Sequence, residues 1–171
     1  MTVIFRPATA ADADAIGLLH ADSWRRHYRG AYSDEYLDGE VYADRQAVWR
    51  ERLGVADTSA VTVVAELSDV VVGFAHIVFD HDPTWGAMLD NLHVTYDLKR
   101  QSIGSGLMAD SARRVLARDL PTSLYLWVLE QNTAAQGFYN ARGGECVERR
   151  SREPNPGFGL RYVWRDPSAL L

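Results

Sequence analysis

The 171-residue sequence predicts an α+β fold in three layers, a mixed but mostly antiparallel sheet of about seven strands with about four helices. Three observations carry this. Apolar residues recur at helical spacing in the first third of the chain and again from Ile103 to Leu116. Between these, β-branched runs such as "VTVVAEL" and "VVVGFAHIVF" change the period to that of strands. The last third mixes one short helical pattern with alternating strands, so a parallel element is expected only around Ser102–Leu129.

Each element has its own signal. Val3-Ile4-Phe5-Arg6 reads as a first strand, closed by Pro7. Thr9-Ala-Ala-Asp12 has the form of a capping box, and Ala15, Ile16, Leu18 and Leu19 give the following helix an apolar side. The segment "SWRRHYRGAYSDEYLDG" is rich in aromatics and breaks at Gly30, after which a second helix is expected over Ala43–Leu53. Ser68-Asp69 joins the two β-branched runs as a hairpin, and "AMLDNLHVT" follows the Pro- and Gly-marked turn "DHDPTWG" as another strand. An amphipathic helix places Ile103, Leu107, Ala112 and Val115 on one side and Arg113, Arg114 and Arg118 on the other, ending near Leu120-Pro121. "SLYLWVL" is a buried strand, and "NTAAQGFYNARGG" a short helix capped by Asn132 and closed by Gly143-Gly144. "CVERRSR" and "LRYVW" make a final antiparallel pair.

No linker, repeat or low-complexity tract interrupts the chain, so residues 1–171 are expected to form one domain. A formal net charge of −5 argues against a general electrostatic grip on nucleic acid or an anionic membrane. The single cysteine, Cys146, rules out an intrachain disulfide and a cysteine-built metal cluster, and is read as a small core residue. The N-terminal stretch shows no basic region followed by a long apolar one, and no apolar run approaches the ~20 residues that span a bilayer. A cytoplasmic location is the expectation. His76, His81 and Asp82 span a strand and a turn without the spacing of metal ligands, and no metal is expected.

The stretch "DLKRQSIGSGLMADSARRVL" contains two overlapping phosphate patterns. Gln101–Gly106 reads as Q-x-x-G-x-G, and Gly104–Ala109 as G-x-G-x-x-A. Either would set glycine-flanked amides of a helix N-terminus against a pyrophosphate. Gly104 and Gly106 also read simply as small residues where a helix crosses a sheet. The dinucleotide-fold pattern needs its first glycine directly after a strand, but "YDLKRQSI" intervenes. Glu130 stands where a ribose-binding acid would, yet the chain beyond it is too short to complete a doubly wound sheet.

The strings "LDNLHVTYDLKRQSIGSGLM" and "LYLWVLEQNTAAQGFYNARGG", at their mutual spacing, resemble the core of the GNAT superfamily of acyl-CoA-dependent N-acetyltransferases. Asn132, Ala135, Phe138 and Tyr139 match that family's N-x-x-A-x-x-F-Y position for position. Aligned on the apolar frame of Ile103, Leu107 and Met108, the family's R/Q-x-x-G-x-G/A loop falls on Lys99–Gly104, not on the literal match at Gln101. Lys99 then replaces R/Q, Ser102 replaces the first glycine, and Tyr96 stands where the family commonly has proline. With these departures either the cofactor is held more weakly, or the Ser102 amide does a glycine's work if its φ stays negative.

The resemblance implies an acetyl-CoA cofactor, a primary amine acceptor and direct attack in a ternary complex. It implies that amides near Leu92, His93 and Val94 hold the acyl carbonyl and pantetheine, and that Arg100, Gln101, Ser102, Ile103, Gly104 and Ser105 hold the pyrophosphate beside Lys99. Asn132, Ala135, Phe138 and Tyr139 would complete the cofactor side. Tyr139 is the expected general acid, because a phenol's pKa lies near enough to a thiol's to pass a proton. For the base, Asp90, His93 and a water chain stay open; on a regular strand Asp90 and His93 project to opposite faces. Trp24, Tyr28 and Tyr32 resemble the family's substrate-covering segment, where aromatic faces suit an alkylammonium. The C-terminal "PNPGFGLRYVWRD" pair offers a homodimer edge, as in many relatives. A catalytically weak acyl-CoA sensor on the same fold is the alternative.

Overall fold

The computed structural model describes residues 2–118 and 122–171. Strand β1 (Ile4–Pro7) passes through a 3-10 turn (Ala10–Asp12) into α1 (Ala13–His27), α2 (Asp34–Asp38) and α3 (Val41–Gly54). Strands β2 (Ala60–Leu67), β3 (Val70–Asp82) and β4 (Gly86–Val94) meander, a second 3-10 turn (Tyr96–Leu98) precedes α4 (Ile103–Leu116), and β5 (Leu124–Leu129) returns. Helix α5 (Thr133–Asn140) and the hairpin of β6 (Glu145–Ser151) and β7 (Phe158–Trp164) complete the sheet. Its order is β1-β2-β3-β4-β5-β7-β6, and β4 with β5 is the parallel pair, joined across α4.

Local chemistry explains the joints. The Thr9 N–H donates to the Asp12 carboxylate at 2.7 Å, and the Arg6 guanidinium grips the same carboxylate at 2.9 Å. Arg6, burial and the Thr9 amide together leave the Asp12 carboxyl at about 2, with Arg6 the main cause. Ser68 and Asp69 both take the left-handed conformation that a two-residue hairpin turn requires.

Two cores lie on opposite faces of the sheet. Helix α4 buries Ile103, Leu107, Met108, Ala112 and Val115 against β2, β3 and β4, with Tyr139 of α5 in the same cluster. On the other face Ile16 of α1 and Trp49 of α3 pack on Val64 and Phe74.

Three expectations change, and a fourth falls partly outside the described residues. Helix α2 is additional; Ser33 caps it by accepting from the Tyr36 N–H at 3.3 Å. The buried side of α1 is Ala13, Ile16, Gly17, His20 and Ala21, while Ala15 and Leu18 are exposed, because small residues let α1 lie close to α3. Cys146 is exposed rather than in the core, since β6 is an edge strand with little packed over it. Helix α4 ends at Leu116, and the expected stop at Leu120-Pro121 lies outside the described residues. Among the described residues no helix is long and apolar enough to cross a membrane.

Candidate active site

The site begins with a defect in β4. Leu89 pairs with Ile77 and Asn91 with His76, so Asp90 is an extra residue in the ladder. Such a bulge bends its strand. Parallel pairing of β4 with β5 covers only Ala87 with Leu124 and Met88 with Tyr125, while β5 stays paired with β7 as far as Leu129. Beyond Met88 the two strands part, and a cavity of about 1310 Å³ opens between them. The bulge also breaks the alternation that was expected to send Asp90 and His93 to opposite faces. Both line the cavity, Asp90 reaching Arg52 of α3 at 3.1 Å and His93 reaching Ser23 of α1 at 2.8 Å.

At one end of the cavity stands the N-terminus of α4. Arg100 (φ 67°) and Ser102 (φ 63°) both take the left-handed conformation, so the condition of a negative φ at Ser102 is not met. Ser102 adopts the backbone geometry for which glycine is usually chosen. The first intrahelical bond runs from the Gly106 N–H to the Ser102 carbonyl at 2.9 Å, which leaves the amides of Ile103, Gly104 and Ser105 outside the helical ladder. No acidic residue occupies this first turn, so the positive end of the helix dipole is unopposed there.

The two glycines have packing duties. A Cβ on Gly106 would lie 2.2 Å from Phe5 of β1, and one on Gly104 would lie 3.2 Å from Phe138 of α5. Arg142 then ties α5 to α4, its guanidinium 3.7 Å from the Phe138 ring centroid and its Nε donating to the Ser105 hydroxyl at 3.1 Å.

Helix α5 forms the cavity wall along β5. The Asn132 side chain accepts from the Ala135 N–H at 3.2 Å, capping the helix, and Ala135, Phe138 and Tyr139 face the cavity. Tyr139 is 8% exposed, ringed by Phe138, Tyr162 and Trp164 at centroid distances of 5.5, 5.7 and 6.0 Å. Burial, with the Tyr28 phenol beside it, pushes its pKa up and keeps it protonated. Burial likewise pushes Tyr28 up to about 12.

The remaining wall is built from α1 and α3. The His93 ring sits 4.8 Å from that of His20, whose Nδ1 accepts from the buried Trp49 indole at 2.9 Å. Burial pushes His93 down to about 3, with His27 and Lys99 adding to the effect. It lowers His20 as well, with His93, Arg45 and Arg52 contributing. Both rings are therefore neutral near pH 7. The aromatic segment only partly follows expectation: Trp24 and Tyr28 line the cavity, whereas Tyr32 stacks on Trp24 at 4.9 Å without lining it. The Arg45 guanidinium already lies 4.4 Å from the Trp24 centroid.

Fifteen predicted positions thus meet on one cavity: Trp24, Tyr28, Asp90, Leu92, His93, Val94, Lys99, Arg100, Ser102, Gly104, Ser105, Asn132, Ala135, Phe138 and Tyr139. Gln101 and Tyr32 do not line it, and the Ile103 side chain turns into the core. Lys99 lines it with its amine 2.9 Å from His27 Nε2, and burial lowers its pKa. Sequence reasoning missed His20, Arg45, Arg52 and Arg142. Arg45, Trp49 and Arg52 fall at helical spacing on one side of α3, a signal that periodicity alone could have raised. His76, His81 and Asp82 serve separate local bonds: His76 to Thr62, His81 to the Tyr125 phenol, and Asp82 to the Thr84 and Trp85 amides.

A bulged strand parted from its parallel neighbour, with a helix opening beside the gap, is the architecture of the acyl-CoA N-acyltransferase fold. The model of the acetyltransferase (GNAT) family matches residues 21–143, and the chain belongs to that family. It is 29% identical to the uncharacterized N-acetyltransferase YuaI of Bacillus subtilis (strain 168), over 98% of this chain and 96% of the relative. Among solved structures it is similar to the PaiA N-acetyltransferase of Thermoplasma acidophilum in complex with coenzyme A, with a TM-score of 0.77 and 17% identity over 96% of this chain and all (100%) of that one. It is also similar to Arabidopsis thaliana NAA60 in complex with acetyl-CoA, with a TM-score of 0.68 and 15% identity over 95% of this chain and 98% of that one.

Proposed function

We propose that the protein transfers the acetyl group of acetyl-CoA to a primary amine by direct attack within a ternary complex. The observation that carries this is the parting of β4 from β5 beside the free amides of α4, in a chain of the acetyltransferase family. The amides of residues 100–105 would hold the pyrophosphate. The unpaired edge of β4 at Leu92 to Val94 would hold the pantetheine and polarise the thioester carbonyl. Asn132, Ala135 and Phe138 would flank the cofactor.

In the chemical step the amine lone pair forms a bond to the acetyl carbon, the C–S bond breaks, and its electron pair passes to sulfur. Tyr139 serves as the proton donor to that thiolate. A phenol pushed above its ordinary pKa is a weaker acid than a thiol, so its proton passes to sulfur only as the C–S bond breaks. The proton the amine gives up finally returns the phenol to its neutral form. A base must take the proton that the attacking amine gives up; of the two candidates His93 is tied to Ser23 of α1, and Asp90 is the more exposed at the cavity wall. We assign that proton to Asp90, which stands on the cavity wall with access to solvent.

The test is CoA release from acetyl-CoA against a panel of amines, with both substrates varied. Intersecting initial-velocity lines are expected. Parallel lines would contradict direct attack, and tight acetyl-CoA binding without turnover of any amine would favour a sensor.

A further inference from the structure

The acceptor end of the cavity carries two guanidiniums, each paired with one carboxylate, Arg45 with Asp44 and Arg52 with Asp90. Arg45 and Arg52, two helical turns apart on α3, both line it, and the carboxylate among them is Asp90. Each guanidinium lies near an indole, Arg45 at 4.4 Å from the Trp24 centroid and Arg52 at 5.0 Å from that of Trp49. Trp49 is itself fully buried and bonded to His20, so these stacks fix where the two forks stand.

The forks are sparsely used. An arginine offers five N–H donors. Arg45 bonds Asp44 at 2.8 Å and also reaches the Tyr36 phenol, and Arg52 bonds Asp90 at 3.1 Å, so neither fork is filled. The Arg45 side chain is only 16% exposed, and its Nε is buried with no protein partner. Buried donors are seldom left unmatched, and a guanidinium fork matches a carboxylate best. Arg52 is paired with Asp90, which also accepts from the Asn91 side-chain amide at 2.7 Å, and Arg45 is paired with Asp44, so each guanidinium has one carboxylate partner and donors left over.

Resting on the transferase reading, we propose that the acceptor is an amine that also carries a carboxylate, as a free amino acid does. Its carboxylate is held by Arg45 and Arg52, and its amine faces Asp90. A polyamine or aminoglycoside would bring a second ammonium against these guanidiniums, which like-charge repulsion disfavours.

The experiment titrates CoA-loaded protein, by calorimetry, with matched pairs that differ in the carboxylate: L-lysine with 1,5-diaminopentane, β-alanine with ethylamine, and L-leucine with its methyl ester. The carboxylate member should bind on the order of tenfold more tightly, the scale of a charge-assisted pair. In Arg45→Gln that preference should fall below about twofold, and Arg45→Lys should keep part of it, as a charge without the fork. Acetyl-CoA affinity, unchanged in both variants, shows that they are folded. Equal or tighter binding of the carboxylate-free members, no binding by any pair, or a preference untouched in Arg45→Gln would overturn the proposal. CoA release in the same mixtures separates the two ideas. Carboxylate-selective binding without release sinks the transfer reaction alone, and faster release with carboxylate-free amines sinks the carboxylate requirement alone.

Discussion

At the proposed phosphate end of the cleft the main-chain amides of Ile103, Gly104 and Ser105, beneath the left-handed residues Arg100 and Ser102, are the groups aimed at a ligand, with the Lys99, Arg100 and Arg142 cations on the wall beside them. At the acceptor end they are side chains: Tyr28, Arg45, Arg52, Asp90, His93 and Tyr139. A backbone site tolerates changes of side chain so long as the path of the chain survives. A side-chain site does not, because each group's charge and reach are its function. The first end should therefore fail through geometry, and the second through chemistry.

The largest effect is expected at the acceptor end. Tyr139→Phe should lower kcat by about 10²-fold or more, the usual scale for losing a positioned proton donor, and leave the KM for acetyl-CoA nearly unchanged. Steady-state kinetics checks this, and an undiminished kcat removes the acid assignment. The next effect belongs to the phosphate end. Gly106→Ala sets a Cβ against the tip of the Phe5 ring, so that ring or the helix must shift. Overpacking of this kind costs about 1–3 kcal/mol, or several degrees of Tm in a chain of this size. A thermal melt at unchanged Tm would show that the glycine is not a packing requirement.

How much of this was legible follows the same division. The strand and helix periods gave the layout, and the Asn132-to-Tyr139 motif gave one wall of the cavity, because they are local patterns in sequence. The bulge at Asp90 was not legible: "MLDNLHV" alternates plausibly without it, and only pairing with β3 exposes the extra residue. Gly104 and Gly106 look like a phosphate signature by their letters, yet each is small because a distant aromatic ring lies against it. Arg45 and Arg52 belong to a helix that reads as ordinary and amphipathic, and their role depends on where β4 bends beneath them. Cys146 was misread because the strand's place at the sheet edge is set by topology.

A pH dependence sharpens the contrast further. The buried His76 is pushed down to about 4, chiefly by burial, and His93 to about 3. Above pH ~6.5 these rings are neutral in both folded and unfolded chains, and their contribution is complete. As the pH falls below that value the unfolded chain takes up protons first, so stability declines toward pH 4. Thermal melts from pH 8 to 4.5 should show Tm falling from about pH 6.5 downward, and His76→Gln should make the slope shallower. A flat profile down to pH 5 would contradict it.

The smallest effect is expected at Ser102. Ser102→Gly relieves a left-handed serine, a cost of roughly 1–3 kcal/mol, and gives back about 0.4–1 kcal/mol through the more flexible unfolded chain. The net change in Tm should be slight and upward, with acetyl-CoA affinity within about twofold. Ser102→Val, a β-branched residue at positive φ, should weaken binding instead, which equilibrium titration would show.

The central claim is that main-chain amides at the start of α4 hold the cofactor's phosphates. Amide hydrogen exchange measured with and without acetyl-CoA tests it most directly. The account predicts that the strongest slowing on binding falls on residues 100–105, in wild type and in Ser102→Gly alike. Saturating acetyl-CoA that leaves those amides exchanging at their free rate, with protection confined to other parts of the chain, would contradict it.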